Sequence, residues 1–414
     1  MTNFPLFAVL ALSILANDAS LVIPISTGAH TEGGIDGAVL RVTTLAAKGP
    51  GSLCEALETD GARLVVFEVG GVIDLGGRSL SVKHPYLTIA GQTAPDPGIT
   101  LIRGGLVIET HDVVVQHIAV RPGDDGPKPW APDAISVTRG SNVVIEHCSA
   151  TWAIDENLST SGPGDVEDSR LTAHDITLRS CLIAEGLSHA THPKGEHSKG
   201  TLVHDGVRNV LIEGCVYAHN RERNPRLKGG TLTTVRDNVM YNWSAACVGV
   251  GARGNQKMLV PAQAVLVGNV AIAGSDTKGK VFVKSVDPGG IVAMQDNLLF
   301  GVAEADDGVV RASGAPSGGD ARANATRALR SAGARAARRD PIDARIVQSI
   351  IRGDGHIIDS QNEVGGYPKR EATKRALVVP KDRRAWLAKL SKELREDRQL
   401  DVAPLWKRLG RPSS

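Results

Sequence analysis

Val143-Val144-Ile145-Glu146-His147-Cys148 returns down the chain as Ile176-Thr177-Leu178-Arg179-Ser180-Cys181 and as Val210-Leu211-Ile212-Glu213-Gly214-Cys215. An earlier copy is Val113-Val114-Val115-Gln116-His117-Ile118. Three later ones end in Asn: Thr233 to Asn238, Ala264 to Asn269 and Val292 to Asn297. Aligned on their last residues (118, 148, 181, 215, 238, 269, 297), they are spaced by 30, 33, 34, 23, 31 and 28 residues. A period in this range marks a solenoid, in which each repeat is one coil stacked on its neighbours. The runs are short and rich in β-branched residues, with no 3.6-residue period, so the coils are strands. Parallel strands need long connections, and one turn of a coil supplies one. Equivalent residues then stack coil over coil. The final Cys positions predict a narrow buried column, and the final Asn positions predict a hydrogen-bonded ladder at a bend.

Working outward, the 414-residue chain with 46 Gly and 42% hydrophobic residues is too long for one ordinary compact domain, a limit a solenoid escapes. A net charge of +2 gives no global field for nucleic acid, so any recognition of anions is local. Five cysteines (Cys54, Cys148, Cys181, Cys215 and Cys247) are odd in number and widely spread, which reads as small buried hydrophobes rather than a disulfide framework. Phe4 to Ala16 is apolar, of the length of a signal-peptide core and too short to span a membrane. The expected organisation is a signal peptide over 1–19, a β-helix over 20–302, an Ala/Arg/Gly-rich loop or helix over 303–345, and a C-terminal segment over 346–414 that packs on the β-helix. A helix is predicted over Ala321 to Arg339. A second, amphipathic one is predicted over Asp382 to Leu400, packed over a solenoid end. The protein is expected to be secreted and monomeric, without nucleic-acid or membrane partners.

The chemistry concentrates in Arg221-Glu222-Arg223-Asn224-Pro225-Arg226-Leu227-Lys228, a basic loop between two strand-like runs that can hold a polyanion. One coil earlier Lys199 precedes the strand Thr201-Leu202-Val203, with Lys194 nearby. Two coils earlier stands Ile154-Asp155-Glu156-Asn157, and before it Asp133. A solenoid brings such positions onto one long face, where a groove suits an extended polymer. His189, His192 and His197 lack a recognisable zinc spacing and read as polar loop residues. Asp124 and Asp125 read as a solvated turn.

Three elements together resemble the pectate lyases of polysaccharide lyase family 1. The first is Val42-Thr43-Thr44-Leu45 with Gly49-Pro50-Gly51-Ser52-Leu53, Val66-Phe67 and Gly71-Val72-Ile73. The second is Asn142 to Cys148, similar to the family's Trp-Ile-Asp-His element but with Val144 for Trp and Glu146 for Asp. The third is Arg223-Asn224-Pro225-Arg226-Leu227-Lys228, similar to Arg-x-Pro-x-x-Arg. The resemblance runs from about Val42 to Trp243. It implies an all-β, right-handed parallel β-helix with peripheral loops and a C-terminal helix, and Ca²⁺-dependent β-elimination of α-1,4-polygalacturonate. It implies Arg223 as base, with Lys199 in the catalytic site. It also implies substrate contacts from Lys228, Arg226, Arg221 and Lys194, and Ca²⁺ ligands among Asp133 and Asp155 or Glu156. Lys228 stands where the motif has its second arginine, so charge is kept and the bidentate fork is lost. The alternatives are a lyase on another uronate polysaccharide and a non-catalytic β-helix binder of acidic polysaccharide. A pectin lyase on methyl-esterified substrate fits less well, because a neutral substrate does not call for this density of charge.

Overall fold

The computed structural model describes residues 21–163, 171–251, 260–287 and 289–412. The expected signal peptide over 1–19 lies outside the described residues.

Each coil gives one strand to each of three sheets. The first sheet has eleven strands, running from Ala38–Val42 through Ser141–Glu146 to Val310–Ala312. The second has nine, from Leu80–Val82 to Ala303–Ala305. The third has nine coil strands, from Val69–Asp74 to Leu298–Phe300, and Thr373–Lys374 adds an antiparallel edge. The coil strands all pair in parallel with the coils above and below, so the fold is an all-β parallel β-helix. In the first sheet Val143 lies between Val113 and Ile176, and Ile145 between Val115 and Leu178. These six are fully buried, while Val144 between them is not, the two-residue alternation of a strand with one face inside.

The repeat's last residue sits in the bend from the first sheet to the third. The residue before it adopts a left-handed conformation in every copy: His117, His147, Ser180, Gly214, Asp237, Gly268 and Asp296 all have φ between 49° and 64°. Cys148, Cys181 and Cys215 stack in the core there, and the Cys181 amide lies 3.4 Å from Cys215 Sγ. The Asn ladder continues the column: Asn238 Nδ2 donates to Asn269 Oδ1 at 2.9 Å, and Asn269 Nδ2 to Asn297 Oδ1 at 2.9 Å. All five cysteines are free. Cys54, read as buried, is only half-buried, because it lies on the short helix Leu53–Glu58 that turns Leu53 and Leu57 into the end of the core.

The chain outside the coils covers two faces. Residues 26–34 cross the first sheet as a strap, with amide bonds to the side chains of Thr234, Asn209, Thr177, Asn142 and Thr88 in turn. The Ala321–Ser331 and Pro341–Arg352 helices lie on the third sheet in a second apolar cluster that includes Trp152, Leu182, Val239 and Ile346. The first stops at Ser331 rather than Arg339: the chain turns extended at Ala332 (ψ 139°), Gly333 follows at φ 106°, and beyond it comes a single 3-10 turn. The Arg383–Leu394 helix, six residues shorter than predicted at its C-terminal end, sets Leu387 against Leu64, Val66 and Ala90 of the first coils. Among the described residues no helix lies over the second sheet, and charged residues gather there. No helix among the described residues is long and apolar enough to cross a membrane.

Candidate functional site

The second sheet places one charged residue per coil at the start of its strands. Glu156 pairs with Lys199, and Lys199 bridges to Glu222. Counting back from the Ile135–Leu158 pair sets Asp133 at the level of Glu156. The result is a column of Asp133, Glu156, Lys199 and Glu222, with Arg223 one residue on. The predicted face therefore exists, and its register shows why the sequence left Asp155 and Glu156 undecided: both face the same space.

That space is a cleft of about 860 Å³. It is lined by Asp133, Asp155, Glu156, Lys194, Lys199, Arg223, Arg226 and Lys228, together with Ser159, His197, His204, Glu222 and Asp287. Arg221 stands outside the lining, with its Nε 2.9 Å from Glu196. Asp124 is also elsewhere, bonded to Gln361. The cation-rich loop folds back because Arg223 takes a left-handed φ of 65°, followed by a cis Asn224–Pro225 peptide. Gly200 is needed where this loop crosses: a Cβ there would lie 2.4 Å from the Arg223 carbonyl oxygen.

The cations do not face the cleft unaccompanied. Arg223 is ion-paired with Glu156, Lys199 with Glu222 and Lys228 with Asp205, and Arg226 lies 2.6 Å from Asp287. Lys228 Nζ is also 3.3 Å from His204 Nε2. Burial tends to raise Glu222, but the charges of Lys199, Arg221 and Arg226 hold its carboxyl below the usual range. Burial lowers Arg226, and the nearby Arg223 adds to that against Asp287. These partner acids were missed in the sequence. Glu222 stands in the quoted basic loop, where the sequence assigns it no role. Asp205 and Asp287 are 23 and 61 residues from the cations they meet, and no local signal marks them.

Asp133, Asp155 and Glu156 bring carboxylate oxygens within 4.8 Å of one another. Asp133 Oδ1 accepts the Glu156 amide at 2.9 Å, and Oδ2 accepts the Ser159 hydroxyl at 2.5 Å. Desolvation, with the Asp155 charge beside it, pushes Asp133 up to about 7. Asp155 goes the other way: burial is outweighed by its hydrogen bond to His197 and the charges of His197, His192 and Arg223. An all-oxygen set of crowded carboxylates fits a hard divalent cation such as Ca²⁺, which would relieve the repulsion that raises Asp133. His189, by contrast, is exposed and meets Asp359.

No family model matches the chain. Curated relatives do. It is 35% identical over 259 residues to a probable pectate lyase C of Aspergillus terreus, covering 62% of this chain and 55% of that protein. It is 38% identical over 245 residues to a probable pectate lyase C of Emericella nidulans, covering 58% and 52%. The chain is similar to these probable pectate lyases over about 250 residues. It spans about half the length of these curated relatives. Among solved structures, Jun a 1, the major allergen from cedar pollen, aligns with a TM-score of 0.49 at 17% identity, covering 68% of this chain and 80% of that one. Pectate lyase Bsp165PelA from Bacillus sp. N165, in complex with trigalacturonate, aligns at 0.47 and 12%, covering 64% and 83%.

Proposed function

We propose that this chain cleaves α-1,4-polygalacturonate by β-elimination, with Arg223 as the base and Ca²⁺ held by Asp133, Asp155 and Glu156. The observation that carries this reading is the convergence of a carboxylate triad, Arg223 and Lys199 in one cleft along the second sheet. The printed names of the curated relatives agree with it.

In this reaction the neutral base takes the proton from C5 of a uronate, the C–H electron pair forms the C4–C5 double bond, and the C4–O glycosidic bond breaks with its pair on the departing oxygen, which takes a proton from solvent. Ca²⁺ bound at the triad would supply fixed positive charge to the uronate carboxylate, which makes the C5 proton more acidic. Lys199 adds to that charge once the substrate carboxylate replaces Glu222 as its partner. A guanidinium is normally always protonated. Arg223 therefore serves as a base only when Glu156 turns to the carboxylate triad instead of the guanidinium and the positive charge of Arg226 beside it favours the neutral form. Glu156 belongs to both groups, so one side chain links metal binding to the state of the base. Lys228 and Arg226 extend the cationic floor toward neighbouring sugars, and Lys194 reaches in from the rim. Secretion accords with a polymeric substrate outside the cell.

The test is ultraviolet absorbance of unsaturated products from polygalacturonate, with Ca²⁺ and then with chelator. Calcium-dependent product supports the lyase and the metal together. Product that persists in chelator removes the metal assignment. No product from this chain on polygalacturonate, with carbohydrate still retained, favours the non-catalytic binder. The internal pairing of the cleft cations weighs against that reading, because a passive polyanion groove gains from surplus positive charge.

A further inference from the structure

The loop over 187–198 interrupts the coil between the third and second sheets and is pinned at several points. The Leu187 amide donates to the Ala153 carbonyl at 2.9 Å, and the Ser188 amide to that of Ile358 at 2.9 Å. The His197 amide closes the loop onto Ser188 O at 2.9 Å. Thr191 Oγ1 donates to the Trp130 carbonyl at 2.9 Å. The loop brings two imidazoles into face-to-face contact, His192 and His197, with ring centroids 3.4 Å apart and planes 15° from parallel. Both rings turn their Nε2 edges to one carboxylate: His192 Nε2 is 3.5 Å from Asp155 Oδ2, and His197 Nε2 is 3.2 Å from Asp155 Oδ1. The side chains are 3% and 9% exposed, against 30% for Asp155, so the rings are the buried support and the carboxylate is the exposed tip.

We infer that His192 and His197 are positioning residues that grip both oxygens of Asp155 and hold it toward Asp133 and Glu156. The inference rests on the proposed Ca²⁺ reading of that triad. Its physical basis is that a ligating carboxylate performs better when its rotamer is fixed by outer hydrogen bonds, and losing such partners typically weakens metal affinity 10–100-fold. Asp155 lies in the turn just ahead of the Glu156–Ser161 strand. Its backbone amide, 3.3 Å from the Pro132 carbonyl, leaves the side chain to be oriented by other groups. The two rings supply that orientation from opposite oxygens.

A rival use of the same residues is a transition-metal site made of Asp155, His192 and His197, whose ligand atoms also lie within 4.8 Å of one another. The Lys194 amide argues against it. That amide donates to His192 Nδ1 at 3.0 Å, so the neutral ring carries its proton on Nε2, the edge that faces Asp155. An Nε2 that bears a proton donates to a carboxylate and does not ligate a metal. His197 has Nδ1 3.1 Å from the Glu196 carbonyl oxygen and Nε2 3.2 Å from Asp155 Oδ1, so both ring nitrogens face acceptors, and the ring that donates to both is the imidazolium, which has no lone pair for a metal.

The experiment is calorimetric titration of CaCl₂ into the full chain as wild type, Asp133→Asn, His192→Ala, His197→Ala, His192→Gln and His197→Gln, with thermal unfolding of each. The alanine variants are expected to bind Ca²⁺ roughly tenfold more weakly, and the Ca²⁺ concentration for half-maximal product formation should rise by the same factor. Glutamine, whose side-chain N–H can stand in for Nε2–H, should recover part of the loss. Unchanged Ca²⁺ affinity in folded histidine variants, beside weakened affinity in Asp133→Asn, overturns the positioning role and leaves the triad intact. A wild type that binds no Ca²⁺ overturns the triad reading and this role with it. Titration with ZnCl₂ decides the rival: tight binding that His192→Ala abolishes overturns the clamp in favour of a metal site. If an alanine variant fails to fold, the glutamine pair carries the comparison.

Discussion

Two columns run along this solenoid, and the same coil geometry builds both. In the bend between the first and third sheets, Cys148, Cys181 and Cys215 lead into Asn238, Asn269 and Asn297, and each asparagine satisfies the next. At the edge of the second sheet, Asp133, Glu156, Lys199 and Glu222 stack at the same one-per-coil spacing, with charges that differ from coil to coil. The first column repeats its chemistry, is dry and is closed on itself. The second varies its chemistry, lines the cleft and is held by ion pairs. A stacked position becomes support when its residue repeats, and becomes a candidate site when its residue changes and lines a cleft.

The contrast is broken most directly at Arg223. Arg223→Ala is expected to lower product formation by about 10²–10⁴-fold, the usual contribution of a general base, with the unfolding midpoint nearly unmoved. A variant as active as wild type in the ultraviolet assay would take the charged column out of the chemistry. Asn269→Ala should do the reverse. It deprives the buried Asn238 amide and Val235 carbonyl of partners. About 3 kcal/mol of stability should be lost in urea unfolding, while the folded fraction keeps its activity. Equal losses of activity and stability would mean that the two columns are not separable.

Acid gives a third measurement, on the core side alone. Burial, with the His147 charge nearby, lowers His117 to about 3, and burial lowers His219 to about 4. Both are neutral in the folded protein and ordinary in the unfolded chain, where histidine titrates near ~6.5. Their contribution is complete above that value and is lost as pH falls through ~6.5 toward about 3 and 4, by up to about 1.4 kcal/mol per pH unit for each ring. Asp133 and Asp343, raised to about 7 and about 6, gain stability over the same window as pH falls, so the histidine share is read as the difference between wild type and His219→Gln; equal slopes of the unfolding midpoint from pH 7 to pH 4 in the two would contradict it. Cys181→Ala should cost least, about 1 kcal/mol for one buried atom of methyl size, with activity unchanged.

Much of this was legible in the chain. The spacing of the apolar runs gave the coils, because a strand with one face inside must alternate and a solenoid must repeat. The residues ending each run gave the Cys and Asn column. The cations of the cleft could be named as well, since they cluster in Arg221 to Lys228 and one coil before it. Arg221 is the instructive exception. It shares the loop with Arg223, but the left-handed turn at Arg223 and the pull of Glu196 send it away from the cleft lining.

What the sequence by itself determined, then, is the repeat and the kind of charge at each level of it, because those depend on periodicity along one strand. Only the tertiary structure decided which carboxylate meets which cation, that Asp155 and Glu156 share one triad, and that His192 and His197 turn inward while His189 does not. It also decided that helices cover the third sheet. These are contacts between coils, loops and a distant C-terminal segment. Their free energy depends on distance and desolvation in three dimensions, and no spacing along the chain encodes either.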